Sequence, residues 1–312
     1  DNSAGVNSSD QEVNIKIAIA PAARAGKLDP VARKKLLADM TDDVAAASLR
    51  NNYQQSLALS LAERRSVREL PDYAFLIQSL EARGLFTRAL ESLPDDRELA
   101  ERGRAGRGLT RPELAVLLSF AKIALQHDIL QSKVPDEPQL ESWLAAYFPP
   151  LLRERYRSGI DGHSLRREII ALGLTNAVVN RGGPAMAVRL AAHLRRPASD
   201  VAHAFMAARE VFDLPQLWQR IDALDGRAQG EAQLRLYEVT QDLVNAQTQW
   251  FLRDGTVLGD LAGTIVRHAA GLAELKAELA NILPPRRKSG LEREARRLAE
   301  GDYLHGEQLT VS

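Results

Sequence analysis

The sequence contains no cysteine, few aromatic residues and no excess of charge of either sign. The missing cysteine excludes disulfides, thiolate catalysis and cysteine-ligated zinc or iron–sulfur sites, and it fits a reducing, cytoplasmic location. The 41 lysines and arginines balance the 41 aspartates and glutamates, so no overall field favours nucleic acid or an anionic membrane. The aromatic residues are not interleaved with the basic ones, which argues against a base-stacking surface. We therefore expect no nucleic-acid partner.

Long apolar runs are also missing. Charged residues interrupt every apolar stretch before it reaches the roughly eighteen residues that a transmembrane helix needs, so no membrane partner is expected. Residues 1–6 contain no initiator methionine, no basic segment and no apolar signal region. This start resembles a cut made inside a longer chain.

Signals for β-strands are nearly absent, whereas the strong helix formers alanine, leucine, arginine and glutamate dominate. One segment, Val13 to Ile19, alternates apolar and polar residues. That segment could be a strand or a short helix beginning after Ser9. The sequence as a whole predicts an all-α fold.

Several helix starts are marked by side chains that can accept hydrogen bonds from the free N–H groups of a first turn. Thr110 and Glu113 form the clearest capping box. Asp29 is followed by proline at the first helical position, where the missing N–H costs nothing. Further starts are predicted at aspartates followed three residues later by Glu or Gln, namely Asp95, Asp136 and Asp213.

The distribution of apolar residues predicts how deeply two helices are buried. The helix after Thr110 is apolar almost all round, from Leu114 to Leu130, so it should be deeply buried. A similar helix, residues 165–179, should end or kink at the Arg-Gly-Gly-Pro sequence of residues 181–184. A second helix should resume from Met186 to Leu194.

Two apolar stripes at helical spacing near the C-terminus predict a packed helical hairpin. The stripes consist of Leu236, Val239, Leu243, Ala246 and Trp250, and of Leu261, Ile265, His268, Leu272, Leu275 and Leu279. Residues 253–260 carry the glycines and aspartates expected of the connection, and residues 284–290 resemble an exposed, mobile linker. The last stretch is predicted to be one more amphipathic helix followed by a frayed tail.

No motif for catalysis or metal binding follows from the residues alone. The glycines of residues 103–108 could suggest a phosphate loop, but such a loop joins a strand to a helix, so an interhelical linker is favoured. The 6 histidines are scattered without the spacing of a metal site. His268 lies in a helical stripe and is interpreted as a packing residue rather than a catalytic base. We predict no catalytic and no metal-binding residue.

Asn176 and Asn180 are spaced so that both amides lie on one face of a largely apolar helix. Buried amides need hydrogen-bond partners. The favoured interpretation is an internal hydrogen-bond network that fixes the register of the helix. The alternative is a polar junction that docks another domain or subunit.

A series of motifs occurs in a fixed order along most of the chain. They are Gly108 to Leu117 with Ala121 to Leu125, Tyr147 to Pro149, Leu165 to Ile170, Asn176 to Pro184, and Arg209 to Leu214 with Leu217 and Trp218. Together they resemble the region beyond the catalytic domain in the large bacterial NAD-specific glutamate dehydrogenases. The resemblance extends to about Leu224, and the hairpin and tail fit the family less distinctively.

The first ten residues resemble the closing segment of a glutamate dehydrogenase nucleotide domain, in which Asn, Gly-Val and Ser recur at this spacing. The resemblance implies that Asn2 lies near the nicotinamide end of the cofactor. It also implies that Ser9 donates a hydrogen bond to the distal carboxylate of glutamate. Ser3-Ala4 departs from the usual Ala-Gly, and Ser8 is an alternative to Ser9. The family's catalytic lysine and aspartate and its Gly-rich cofactor loop are not found in this sequence.

The resemblance implies a parent enzyme that converts L-glutamate, NAD and water to 2-oxoglutarate, ammonia and NADH. The expected divisions are the end of a dinucleotide-binding domain at 1–28, a helical connector at 29–108, a helical core at 109–225, and the hairpin and tail at 226–312. The expected fold is an irregular all-α domain with a long C-terminal hairpin, preceded by a short remnant of an α/β dinucleotide-binding domain.

The role implied for this chain is structural, oligomeric or regulatory, and the fragment alone is expected to be inactive. NAD would be bound mainly by the upstream domain. The expected partners are the chain's own catalytic domain, further copies in a homo-oligomer, and L-glutamate as substrate of the parent enzyme. The alternative is a stand-alone helical scaffold or adaptor, although no block recurs at the roughly thirty to fifty residues typical of helical solenoids.

Overall fold

The computed structural model describes residues 2–290 and 293, without the side chains of residues 2–4 and 280. Within these residues the chain forms helices and no β-strand, which confirms the predicted all-α class. It divides into two compact units, the first comprising residues 1–189 and 197–199 and the second residues 190–196 and 200–312.

The first unit contains ten complete helices among the described residues. They are α1 (Asn2–Arg24), α2 (Pro30–Asp39), α3 (Thr41–Arg65), α4 (Leu70–Ala82), α5 (Asp96–Arg104), α6 (Arg111–Leu130), α7 (Glu141–Tyr147), α8 (Pro150–Arg155), α9 (Arg157–Asp161) and α10 (Arg166–Gly182). Helix α11 (Met186–Leu194) then runs from the first unit into the second.

Helix α1 packs against α3 and α9, and α10 packs against α3, α6 and α7. The segment Val13 to Ile19, ambiguous in the sequence, lies entirely within α1. Ile15, Ala18 and Ile19 are buried, whereas Val13 is half exposed. Spacings of three and four residues therefore describe the buried edge of this segment better than the alternation of a strand.

A separate apolar cluster joins α4, α5 and α6. Tyr73, Leu76 and Leu80 of α4 are fully buried against Leu114 and Leu117 of α6 in this cluster. Helix α6 is buried along most of its length, as predicted, but Ile123 is 52% exposed. The apolar composition of α6 therefore predicts more burial than the face that carries Ile123 has.

Three of the predicted helix starts have the expected capping chemistry. The carboxylate of Asp29 accepts hydrogen bonds from the backbone N–H groups two and three residues further on, at 2.8 and 2.9 Å. Asp95 accepts one from the Glu98 N–H at 2.8 Å. Thr110 and Glu113 form a complete capping box, in which the Thr110 N–H donates to Glu113 Oε2 at 2.6 Å.

The helix start predicted at Asp136 is wrong. Asp136 ends a 3-10 turn, and α7 begins only at Glu141. The reason is Pro138, because the residue before a proline is kept extended, and Glu137 has a ψ of 127°. The carboxylate of Asp136 binds Arg167 instead of capping a helix.

The predicted start at Asp213 is correct in position but not in mechanism. Helix α13 (Leu214–Asp222) follows it directly, yet the Asp213 side chain accepts no capping hydrogen bond. Asp213 has φ 46° and ψ 45°, a left-handed conformation that aspartate tolerates better than most residues.

The glycine-rich segments connect helices, as predicted. Residues 105–110 join α5 to α6. Helix α10 ends at Gly182 because Gly183 has φ 94° and ψ 157°, a conformation open to glycine, and Pro184 cannot continue the helix. Helix α11 then covers Met186–Leu194, the range predicted.

The second unit consists mainly of four helices: α12 (Ala198–Val211), α13, α14 (Gly230–Asp254) and α15 (Leu261–Ile282). Helix α12 belongs to this unit from Asp200 onwards. Helices α13 and α14 are joined by a hydrogen bond from Gln233 Nε2 to the Ile221 carbonyl, at 2.9 Å. Gly255, in a left-handed conformation, ends α14, and the Asp260 carboxylate caps α15 through the Gly263 N–H at 2.8 Å.

The His268 ring joins the two helices of this hairpin. Its centroid lies 5.1 Å from that of Trp250 and 5.3 Å from that of Phe251, both edge to face. This geometry agrees with the interpretation of His268 as a packing residue.

The stripe predicted for α14 is not its buried face. Val239 is 67% exposed, whereas Tyr237, Val244 and Phe251 are buried. Polar residues complete that buried face: Gln233, Thr240, Gln241 and Thr248. Threonine and glutamine are polar residues, so the pattern of apolar residues predicts a different face of α14 from the one that is buried.

The second stripe, on α15, is buried only near its start. Leu261 is buried, whereas Leu275 and Leu279 are exposed. Helix α15 ends at Ile282, and residues 284–289 are exposed, as predicted, but residues 285–290 form a further helical segment rather than an irregular linker. The amphipathic helix and tail predicted beyond lie outside the described residues, apart from helical Arg293.

Candidate functional site

Helix α1 carries both residues for which the sequence predicts a role in binding. Its buried edge contains Ile15 and Ile19, and its opposite side exposes Val6, Ser9 and Val13. A spacing of seven residues, about two helical turns, places the backbone of residue 2 on the same side as Ser9. The side chain of Asn2 lies outside the described part of the structure, so its role stays a prediction.

Ser8 and Ser9 have different surroundings. The Ser8 hydroxyl donates to the Gly5 carbonyl at 3.1 Å, and Ser8 faces a groove shared with α2 and α3. Ser9 is exposed. Ser9 is thus the more exposed of the two serines, and its role in binding glutamate stays a prediction.

Beside this helix, residues of five helices of the first unit line an open cavity of about 520 Å³. Most of its polar lining consists of amides and hydroxyls. The lining residues are Val6, Asn7, Asp10, Gln11, Ala47, Ser48, Asn51, Gln55, Lys122, Tyr147, Leu172, Gly173 and Asn176.

Lys122 of α6 supplies the only cationic side chain in this lining. Burial lowers the pKa of its ammonium group from the usual 10.5 to about 8. No carboxylate contributes to this shift. Lys122 is therefore a half-buried lysine whose pKa shift comes from burial, with no contribution from an ionic partner among the described residues.

Asp10, by contrast, is held by two neighbours. It accepts a hydrogen bond from the Tyr147 hydroxyl at 2.6 Å and one from Asn14 Nδ2 at 3.2 Å. Burial, together with the Asp10 carboxylate, raises the pKa of Tyr147. The Asn14 carbonyl lies 3.1 Å from Nε2 of His163, which fixes this part of α1 against the segment after α9.

Several polar atoms of the cavity wall are buried without a hydrogen bond among the described residues: Asn7 Nδ2, Gln11 Oε1 and Ser48 Oγ. Asn176 lines the same cavity. Asn180 is buried one turn further on, and neither of its amide atoms has a hydrogen-bond partner among those residues. This does not support an internal network at Asn180, and it leaves the docking interpretation open.

Lys122 and its neighbours form no sequence motif that marks them as a site. One signal was present, since Lys122 is the single charged residue between Glu113 and Asp128 in a helix that is otherwise apolar. The other lining residues come from distant parts of the sequence, and only the packing of α1, α3, α7 and α10 brings them together.

The described residues contain neither a metal-binding cluster nor a membrane-spanning helix. No group of three or more His, Cys, Asp or Glu side chains there could hold a metal ion. No helix in that part of the chain is long and apolar enough to cross a membrane.

Replacing Lys122 by methionine should stabilise the protein. Below about pH 8 the folded state carries a buried charge, so removing it should raise the free energy of unfolding by about 1–3 kcal/mol. As the pH rises from about 8 towards 10.5 the folded lysine loses its proton, and the benefit of the substitution should disappear. Urea unfolding of both proteins at neutral and alkaline pH measures this, and an equal gain at both would contradict the assignment.

The fold and the cavity define an all-helical region whose first helix is fixed into the core by helices that come later in the chain. Residues 106–304 match the family described as "Glutamate dehydrogenase, C-terminal", and residues 1–62 match "Bacterial NAD-glutamate dehydrogenase, catalytic domain". The chain belongs to this glutamate dehydrogenase family, which confirms the resemblance found in the sequence.

Curated relatives agree with this assignment. The chain is 40% identical over 283 residues, 91% of its length, to an NAD-specific glutamate dehydrogenase of Halomonas elongata. It is 41% identical over 283 residues to the enzyme of that name from Pseudomonas aeruginosa, and 34% identical over 299 residues to that from Mycobacterium tuberculosis. The chain spans only 18% of the length of each of these relatives.

The predicted domain boundaries stay predictions. The match to the catalytic domain runs past the predicted boundary at residue 28 and ends at residue 62.

Proposed function

We propose that this chain is the C-terminal helical part of an NAD-dependent glutamate dehydrogenase. The reaction proposed for the whole enzyme converts L-glutamate, NAD and water to 2-oxoglutarate, ammonia and NADH. Support comes from the family match and from the printed names of the relatives. The stand-alone scaffold is the weaker alternative, because the matches to the two parts of the dehydrogenase together cover both ends of the chain.

The observation that supports a bracing role is the position of α1. This helix lies within the catalytic-domain match, yet its buried edge packs against α9, which lies within the C-terminal match. Gly159 of α9 approaches so closely that a Cβ there would lie 2.0 Å from the Ala18 carbonyl oxygen. A helix held this tightly can keep the groups on its exposed side in a fixed position.

NAD, when bound, accepts the hydride that leaves the α-carbon of glutamate. In this proposal NAD is held mainly by residues upstream of this chain, with Asn2 near the nicotinamide. Ser9 donates a hydrogen bond to the distal carboxylate of glutamate and orients the substrate. The chain by itself is proposed to be inactive, and its role in oligomerisation or regulation and its cytoplasmic location are parts of the same proposal.

Ser9→Ala in the whole enzyme should raise the KM for glutamate and lower kcat/KM by about ten- to a hundredfold, because a hydrogen bond to a charged group is lost. Ser8→Ala is the matched control and should have little effect, since its hydroxyl bonds within α1. Steady-state kinetics with varied glutamate and NAD measures both. If Ser8→Ala gave the larger loss, the assignment of Ser9 would be wrong.

The bracing role is tested by comparing the whole enzyme with a form truncated before residue 106. We expect the truncated enzyme to lose NAD-dependent glutamate oxidation or to change its mass in solution, since α1 and α3 lose the helices that cover them. Unchanged activity and unchanged mass per assembly would place the function of this region elsewhere.

A further inference from the structure

The cavity beside α1 combines one cation with several free hydrogen-bonding atoms. Burial alone lowers the pKa of Lys122, with no contribution from an ion pair or a hydrogen bond. Asn7 Nδ2, Gln11 Oε1 and Ser48 Oγ are buried and have no hydrogen bond among the described residues. A buried cation without a counter-charge is costly, and so is each buried polar atom without a partner. A protein retains such side chains more readily when a bound ligand supplies the counter-charge and the missing hydrogen bonds.

We propose that this cavity binds a small monocarboxylate that also carries a hydroxyl or amino group, with its carboxylate paired to Lys122. Asn7 and Asn176 line the same cavity, and in this proposal their amide N–H groups donate hydrogen bonds to the carboxylate oxygens. The hydroxyl or amino group of the ligand then donates to Gln11 Oε1 or to the carboxylate of Asp10.

The charges of the lining decide between a carboxylate and a phosphate. One lysine matches the single negative charge of a carboxylate. A phosphate dianion would carry a second negative charge into a cavity whose wall also contains the Asp10 carboxylate, and like charges repel strongly where water is partly excluded.

The size of the cavity suits such a ligand. Its volume of about 520 Å³ lies within the range of small-molecule sites. The wall combines apolar surface from Val6, Ala47 and Leu172 with convergent polar groups, as small-molecule sites do.

A bound carboxylate would connect elements that come from both family matches. Asn7 and Gln11 lie on α1, whereas Lys122 lies on α6 and Asn176 on α10. Because the ligand binds only when these helices are packed together, it should stabilise the folded state in proportion to its concentration.

The direct test is a ligand-observed NMR titration of the 312-residue chain with L-lactate, with lactamide and inorganic phosphate as comparisons. We expect saturable binding of lactate that weakens at least about tenfold in Lys122→Met, since a charge-assisted contact is removed. Lys122→Arg should keep part of the affinity. Lys34→Met removes an exposed lysine of α2 and should leave binding unchanged.

The proposal is overturned if lactate does not bind at millimolar concentration, or if Lys122→Met binds it as tightly as the unmodified chain. Equal binding of lactamide or phosphate would also overturn it, because neither matches the proposed pairing. Far-UV circular dichroism establishes that the variants are folded. The titration needs no glutamate oxidation, so its outcome is independent of the function proposed for the whole enzyme.

Discussion

Gly159→Ala should destabilise the first unit by about 3 kcal/mol, although it adds a single methyl group. An added Cβ would lie 2.0 Å from the carbonyl oxygen of Ala18, and that atom belongs to the backbone of α1. Backbone cannot rotate away as a side chain can, so α1 and α9 must separate. The separation would loosen the burial of Ile15 and Ile19, which are 2% and 0% exposed. Urea unfolding of the chain measures the loss.

Gly103→Ala is the matched control. Gly103 also lies in a helix of the first unit, α5, but an added Cβ would meet only the Leu70 side chain, at 3.5 Å. Alanine is favoured over glycine inside a helix by about 1 kcal/mol, so this variant should be neutral or more stable. If the two substitutions changed the free energy of unfolding equally, the close approach of α9 to the backbone of α1 would not be the cause of the loss.

Helix starts could be predicted from the sequence where the capping contacts join residues that are close together in the chain. The cap at Asp29 and the capping box of Thr110 and Glu113 depend on residues within one turn, and both are found. The start predicted at Asp136 was wrong because Pro138 competes with it. A proline therefore blocks a predicted helix start when the residue that it holds extended follows the cap, as Glu137 follows Asp136, but not when that extended residue is the cap itself, as at Asp29.

Which face of a helix is buried depends on residues far away in the sequence. In α14 the buried face includes Thr240, Gln241 and Thr248, while Val239 is exposed. Hydrophobicity alone could not identify this face, because packing against neighbouring elements decides it. The same holds for the cavity, whose polar lining is assembled from five helices and contains no recognisable motif.

Glu113→Ala should cost about 2–3 kcal/mol of stability, because it breaks a largely buried ion pair and a helix cap together. Glu113 accepts hydrogen bonds from Arg102 at 2.7 and 2.8 Å and from the Thr110 N–H at 2.6 Å. The Arg102 side chain is 14% exposed and would keep only the half-exposed Glu98 as an ionic partner, besides a long hydrogen bond of 3.5 Å to the Gly108 carbonyl. Glu101→Ala is the control, since its pair with Arg97 lies on the surface and should contribute about 0–1 kcal/mol.

The effect of Glu113→Ala should depend on pH. Burial alone would raise the pKa of Glu113, but the hydrogen bonds from Arg102 and from Thr110 outweigh burial and hold that pKa below its usual 4.5. A carboxyl group whose pKa is lower in the folded state stabilises the protein fully above the unfolded pKa, and this contribution is lost as the pH falls through the folded pKa. The difference in unfolding free energy between the two proteins should therefore be largest near neutral pH and shrink in acid. A difference that stayed constant from neutral pH to well below 4.5 would mean that shape and packing at this position, rather than the charge of Glu113, connect α5 to the start of α6.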